Sequence, residues 1–353
     1  MKRANIEEPL SVQVKKKVAK PTEEEDDKNP GNFELMTSTG STLLNLNISG
    51  NRVRGGGLPA GVVVEAFGPS QSGKTVFLSE LAGTIQRNGG EAQFHDPESR
   101  LDQEFASLFG MQLPKTNYYI SDTVTQVFEQ VKKWKPKNIN ITNGIFADSL
   151  AALSTKLEME SKDGDKMGMR RAKEFSEQLR VTCRLIKQRN ILMVCSNQIR
   201  INTDPNAFAA KYVTPGGEAF KFYSSIRLKF NNPEKIYKTI EFRGDEDRKI
   251  KNVIGIETEI EVVKTVDSPY RKAPLIIIYG YGIDDIRANL QYCKQFKAYS
   301  TYCLNGNNLD KSIEKAIRII EADPKLILEL QNETIDLWEE IRDTFATERI
   351  KIR

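Results

Sequence analysis

Eight residues, GPSQSGKT from Gly68 to Thr75, limit most severely what this chain can fold into. The run before them, GVVVEAFG, is apolar and β-branched. The run after them, KTVFLSELAGTIQRNGG, is apolar at helical spacing and ends on Gly89 and Gly90 as C-cap signals. A strand, a Gly-rich turn and a helix in that order aim successive backbone N–H groups at one point, at the positive end of the helix. Lys74 adds a charge for β/γ phosphates, and the Thr75 hydroxyl suits Mg²⁺. The pattern predicts a nucleotide-phosphate site formed by Gly68, Pro69, Ser70, Gln71, Ser72, Gly73, Lys74, Thr75 and Val76. Average composition gives a chance match roughly once in a hundred chains of this length, so an incidental turn is set aside.

The surroundings extend that unit. EAQFHD, INITNGIFADSL and ILMVCSNQIR read as strands. DTVTQVFEQVKKW and RAKEFSEQLRVTCRLIKQRN read as helices, the first with Val124, Val127, Phe128 and Val131 on one face. Strand–helix alternation predicts an α/β fold with a mostly parallel central sheet covered by helices. AFKFYSSIRLKF, GIETEIEVVKTV and APLIIIYG lack evident helices between them and are expected to extend the sheet antiparallel. Residues 1–35 read as a charged arm, since VKKKVAK and PTEEEDDKNP bury too little apolar surface to fold alone. Residues 36–290 read as the core. Residues 291–353 read as a small helical C-terminal domain, with Ile313, Ile317 and Ile320 on one face and Leu330, Leu337, Ile341 and Phe345 on another. Asp323-Pro324 separates those two helices.

Three strand ends carry candidate chemistry. Asp148 closes GIFADS, where a carboxylate reaches Mg²⁺ through Thr75 or water. Ser149 follows it, so a base that orients water must come from elsewhere; FHDPES offers Asp96 and Glu98, which are otherwise turn carboxylates. Gln198 in SNQIR is either an ordinary strand terminus or an amide that senses a γ-phosphate and steers the loop after it. His95 is the only histidine, which excludes His-rich metal sites and reads as a partly buried strand residue. Two long polar loops, ESKDGDKMGMRRAKEF and IRINTDPNAFAAKYVTPGGEAFKF, are of a length that is uncommon without function. Residues 162–189 hold nine Lys/Arg, Arg170, Arg171 and Arg180 among them, against four acids. That surplus fits a phosphate-backbone surface and a solvated helix face equally.

A net charge of only +4 confines any nucleic-acid site to a local patch. Four scattered cysteines without CxxC spacing fit a reducing cytoplasm. Apolar runs are strand-length, and no apolar leader is evident, so neither a membrane span nor a secretory signal is expected.

Taken together, STGSTLLNLNISGNRVRGGGLPAGVVVEAFGPSQSGKT, FHDPESRLD, FADSLAAL, GDKMGMRRA, SNQIR, TPGGEAFKFYSSIRL, EVVK and YGYGI resemble the bacterial RecA recombinase family, in family order over roughly residues 36–290. The resemblance implies a RecA-like P-loop ATPase core. It implies a helical filament on single-stranded DNA that pairs with homologous double-stranded DNA, with ATP and Mg²⁺ at subunit interfaces. Glu98 then matches the water-activating glutamate, and Gln198 the γ-phosphate sensor. Phe105 takes the place of an aromatic ring on the adenine, with Asp102 nearby. Met167, Gly168 and Arg170 fall in the first DNA-binding loop; Arg200, Phe208, Gly216 and Gly217 fall in or bound the second. Lys221 and Phe222 would face the neighbouring subunit, and Lys264 would reach the neighbour's ATP. The second lysine of that pair reads here as Val266, for which Arg271 or Lys272 could substitute. EEEDDKNP interrupts the family's N-terminal docking segment, and ERIKIR stands where bacterial members commonly carry an acidic tail. Two other readings stay open: a weakly hydrolysing filament or mediator protein, suggested by Val266, and a hexameric helicase on the same core. The paired glycines before FKFYSSIRL argue against the helicase.

Overall fold

The computed structural model describes residues 31–113, 117–155, 167–201, 212–213, 217–242, 245–265, 267–347 and 349. Strand β1 (Asn32–Thr37) leads into helix α1 (Thr42–Ser49) and strands β2 (Leu58–Ala60) and β3 (Val63–Gly68). Helix α2 (Lys74–Arg87), β4 (Ala92–His95), α3 (Gln103–Leu108), β5 (Tyr118–Tyr119), α4 (Val124–Lys133) and β6 (Asn143–Ala147) follow. Next come α5 (Met167–Gln188), β7 (Ile191–Gln198), β8 (Arg200–Ile201), β9 (Tyr212–Val213), α6 (Gly217–Tyr223) and β10 (Ile226–Phe230). The chain continues with β11 (Glu234–Phe242), β12 (Asp245–Lys264), β13 (Arg271–Ile278) and β14 (Gly282–Ile283). It closes with α7 (Asp285–Phe296), β15 (Tyr302–Leu304), β16 (Asn307–Asp310), α8 (Ile313–Glu321) and α9 (Pro324–Thr344).

Ten strands form the central sheet, in the order β14-β13-β12-β10-β3-β7-β6-β4-β5, with β11 paired to the outer half of β12. From β10 to β5 every pairing is parallel. Strands β3 and β6 are buried along their whole length, which is why they read as apolar runs rather than alternating ones. Alternate residues nonetheless enter different layers. Val64, Phe146 and Val194 pack with Phe77 and Leu81 of α2. Val63, Ile145 and Met193 pack with Phe128 of α4, Phe175 of α5 and Phe220 of α6. The apolar stripe of α4 is fully buried, and Thr123 with Gln126 closes its N-terminus as a capping box. Among the described residues, no helix is long and apolar enough to cross a membrane.

The antiparallel extension holds for β12, β13 and β14. AFKFYSSIRLKF departs from it: the segment folds as helix α6 and then β10, which lies parallel to β3. Phe220 is buried beneath the sheet, and Ser225 N–H bonds Val63 O at 2.9 Å as the chain turns into β10. A helical crossover from β7 returns the chain in the same direction, so β10 must be parallel.

A third apolar cluster joins α7, α8 and α9 through Ile286, Leu290, Ile317, Ile320, Leu330 and Leu337. Asp323 caps α9 and Pro324 opens it. Phe345 lies one residue past the end of α9 and is 85% exposed, off the face expected of it. A hairpin, β15–β16, interrupts the helices; Asn305 and Gly306 sit at φ 50° and 80°, as a two-residue primed turn needs. The 35/36 position falls inside β1, which pairs with β2, and the 290/291 position falls inside α7.

Candidate active site

The carboxyl ends of β3, β4, β6 and β7 open onto a pocket of about 770 Å³. Ser70, Gln71, Gly73, Lys74, Thr75 and Val76 line it. Gly68, Pro69 and Ser72 instead shape the loop from behind. Ser72 Oγ donates to Pro69 O at 2.9 Å, and Lys74 Nζ donates to the carbonyls of Gly68 and Pro69. Thr258 on β12 holds the loop by donating to Ser72 O at 3.1 Å. Two glycines are irreplaceable for different reasons. Gly73 sits at φ 90°, and a Cβ on Gly68 would lie 2.3 Å from Phe230 O. Burial pushes the Lys74 ammonium down to about 8, against the opposing pull of Asp148 and Glu98.

Across the sheet, Thr75 Oγ1 donates to Asp148 Oδ2 at 2.6 Å, and Ser196 donates to Asp148 Oδ1. Ser196 is new to the site. The pairing Ala147↔Cys195 places the residues after each side by side, a register that one strand's sequence does not reveal. Among the described residues, no three His, Cys, Asp or Glu gather as a metal cage. One carboxylate and one hydroxyl fit Mg²⁺, which keeps waters and takes substrate phosphate oxygens.

Glu98 enters from a turn built on Asp96, a residue only 2% exposed. Asp96 Oδ2 accepts the N–H groups of Arg100 and Leu101, each at 2.7 Å, and the Tyr118 hydroxyl at 2.8 Å. Asp96 Oδ1 accepts Glu98 N–H at 3.2 Å. Both acids of FHDPES line the pocket, but the Asp96 carboxylate is taken up by these bonds, whereas Glu98 has Arg100 Nε 2.8 Å from its Oε2. His95 is fully buried, bonds Ser121 through Nδ1 at 3.0 Å and stacks on Tyr119. Desolvation pushes its imidazole down to about 4, so it is neutral at ordinary pH.

Phe105 lines the pocket, but Asp102 does not: its carboxylate caps α3, accepting Phe105 N–H at 2.7 Å. Ile256 of β12, Ile277 of β13 and Tyr279 just past β13 complete the apolar side, from segments expected only to extend the sheet. Gln198 ends β7 opposite Gly68 and also lines the pocket.

A family model described as the RecA N-terminal domain matches residues 12–284. The chain belongs to the RecA family. It is 32% identical over 309 residues to Protein RecA of Azoarcus sp. (strain BH72), covering 86% of this chain and 85% of that one. It is 31% identical over 308 residues to Protein RecA of Delftia acidovorans (strain DSM 14801 / SPH-1), covering 85% and 78%.

On this RecA-family core, a buried polar row runs beside the pocket. Glu65 of β3 accepts Asn197 Nδ2 at 2.9 Å and Arg227 Nε at 2.7 Å, and Asn197 Oδ1 accepts Gln198 N–H at 3.0 Å. Lys264, beyond the pocket lining, donates to the carbonyls of Lys221 and Phe222 at 3.0 and 3.1 Å. Burial, with Arg227 next, lowers its pKa. Phe222 is 76% exposed. Val266 lies outside the described residues. Lys272 is held by Glu259 at 2.9 Å, and Arg271 lies over the Trp338 ring, so both proposed substitutes are engaged elsewhere.

Of the DNA-loop candidates, Phe208 and Gly216 lie outside the described residues. Met167, Gly168 and Arg170 open α5, Arg200 begins β8 and Gly217 begins α6. The basic stretch divides by role. Arg189 donates to the carbonyls of Val131, Lys132 and Trp134, closing α4, and Arg171 donates to Ala151 O at 3.3 Å. Arg180 and Arg184 are exposed on α5.

Proposed function

We propose that this chain is an ATP-dependent homologous recombinase that assembles as a helical filament on single-stranded DNA and exchanges strands with a homologous duplex. The observation that carries the reading is the convergence of Lys74, the Thr75–Asp148 pair, Glu98 and Gln198 on one pocket at the strand ends. Bound Mg²⁺ would supply charge neutralisation between β- and γ-phosphates, held by Thr75 and Asp148. Backbone N–H groups of the Gly68 loop and the Lys74 ammonium bind the phosphates, and Phe105 packs on the base. The Glu98 carboxylate accepts the proton of the attacking water and orients it in line. Gln198 donates its amide to the terminal phosphate; the chain leaves it directly for β8 and the second DNA loop, so phosphate occupancy and loop position are linked. Arg170, Arg180 and Arg200 serve DNA phosphates. Lys221, Phe222 and Lys264 face the next subunit, with Lys264 completing its nucleotide site. The compartment is the cytoplasm of a bacterial cell or phage-infected host.

The test combines electron micrographs with a strand-exchange assay on homologous substrates. Helical filaments on single-stranded DNA, and exchanged product that needs ATP, support the reading; closed rings or no exchange overturn it. A weakly hydrolysing filament protein is the second reading, favoured by Val266 and by the engagement of Arg271 and Lys272 elsewhere. It predicts filaments on DNA with ATP, little hydrolysis, and no exchanged product with either ATP or a non-hydrolysable analogue.

A further inference from the structure

Among the described residues that line the pocket, two are cations: Lys74 and Arg100. Three carboxylates accompany them, those of Asp96, Glu98 and Asp148. Lys74 belongs to the phosphate loop, whereas nothing in the reading above employs Arg100.

Its setting is specific. The backbone of Arg100 is pinned, because its N–H and that of Leu101 both bond the buried Asp96 carboxylate at 2.7 Å. Ser99 before it turns at φ 52°. Its side chain has the opposite character, 76% exposed with its Nε on Glu98 Oε2 at 2.8 Å. The base of the arm is fixed and its head is free to change partners. An ion pair this exposed contributes little net stability, so exchanging one anion for another meets little resistance. Phosphate matches the planar guanidinium fork at least as well as carboxylate does.

We propose that Arg100 is a second phosphate-binding cation of this pocket, supplied by the same subunit. It pairs with Glu98 in this structure and moves to the terminal phosphate of a bound nucleoside triphosphate. The exchange breaks one ion pair and forms another, with no proton or covalent change. It places positive charge where charge builds during phosphoryl transfer, and it releases the Glu98 carboxylate to take the water. The proposal rests on the nucleotide reading above. It also gives the chain a local source of the charge that Val266 does not supply.

The experiment measures ATP and ADP dissociation constants by direct titration of the full-length chain with Mg²⁺, and separately kcat with single-stranded DNA. Wild type, Arg100→Ala and Arg100→Lys are compared, with Lys74→Ala as the control for the pocket. The expected result for Arg100→Ala is ATP affinity weakened about 10-fold or more, ADP affinity within about 2-fold of wild type, and kcat lowered about 10²- to 10³-fold. Arg100→Lys should recover part of each loss, since it keeps the charge and loses the fork. Equal losses for ATP and ADP would show a local structural role and overturn the proposal. Unchanged ATP affinity with a raised kcat would reduce Arg100 to a restraint on Glu98 and also overturn it. If wild type binds neither nucleotide, or Lys74→Ala binds both as well as wild type does, the nucleotide reading itself fails. If those controls behave and Arg100→Ala matches wild type, only the role of Arg100 fails.

Discussion

The pocket end of the central sheet and the C-terminal helical cluster bury their side chains for different purposes. The cluster of α7, α8 and α9 is mostly apolar, and a buried polar group there, such as Glu333, is matched locally by Lys297 at 2.6 Å. At the pocket, burial encloses Glu65, Asp96, Ser196 and Asn197 within two or three residues of the chemistry, with Arg227 bonded to Glu65. Buried polar groups are tolerated only when satisfied, and a satisfied one holds its neighbours in one geometry. The cluster therefore mainly contributes stability, while the pocket end spends much of its burial on orientation.

The largest expected effect sharpens that contrast on the chemical side. Lys74→Ala and Glu98→Gln should each lower DNA-stimulated ATP hydrolysis by about 10²-fold or more while leaving thermal melting close to wild type. Hydrolysis that survives both substitutions removes the site assignment. Next comes Arg227→Met, which strands the Glu65 carboxylate in the sheet. It should cost about 3–5 kcal/mol in urea unfolding and weaken nucleotide binding as well, since Asn197 and Gln198 share the network. Leu330→Ala, at a site 1% exposed in the C-terminal cluster, should cost about 2–5 kcal/mol but leave nucleotide affinity unchanged below the melting temperature. A parallel loss of affinity would break the comparison.

Two smaller effects depend on pH. His95 stays neutral in the folded chain down to about 4, while the unfolded chain takes up that proton from about 6.5. Unfolding thus binds a proton across that window, and stability falls as pH falls, by up to roughly 3 kcal/mol. His95→Gln should flatten the acid limb of a urea stability–pH curve; an unchanged slope refutes the assignment. Lys74 works at the alkaline side. With its ammonium lowered to about 8, the free pocket loses its charge as pH rises through that value. ATP affinity should decline by about tenfold per further pH unit, and a flat profile from pH 7 to 9 contradicts it. The same lowering penalises folding below about 8, and the penalty is relieved as pH rises from there to the ordinary lysine value, because only the unfolded chain remains protonated in that window.

How much of this was legible in the sequence follows from where each signal is stored. The phosphate loop is local: Gly73 and Lys74 act within one turn, so spacing identifies them. The α4 stripe is equally local. Asp148 was legible because a strand end is marked by the loss of apolar residues. Ser196 was not, since its role depends on the register between β6 and β7. Tyr279 was hidden for the same reason, because β13 reaches the pocket only through sheet order. Asp96 and Glu98 looked interchangeable in FHDPES; only the hydrogen bonds separate the hub from the acid left to the pocket. Helix α6 was lost to its length, seven residues, too few to show a period beside the strand that follows. The Asn305-Gly306 turn was a readable hairpin signal overlooked amid helical periodicity.

Strand β12 runs for twenty residues, about 65 Å at the usual rise. Thr258, near its middle, grips the phosphate loop, and Lys264 at one end grips the last turn of α6. The other end, at Asp245, pairs with β11. From Gly255 to Lys264 the strand is locked into the sheet by β13 and β10, whereas Asp245 to Val253 pairs with β11. Those nine residues, about 30 Å of strand, extend past the sheet as a two-stranded ribbon. The same strand thus serves as a wall of the nucleotide pocket at one end and as a protruding arm at the other.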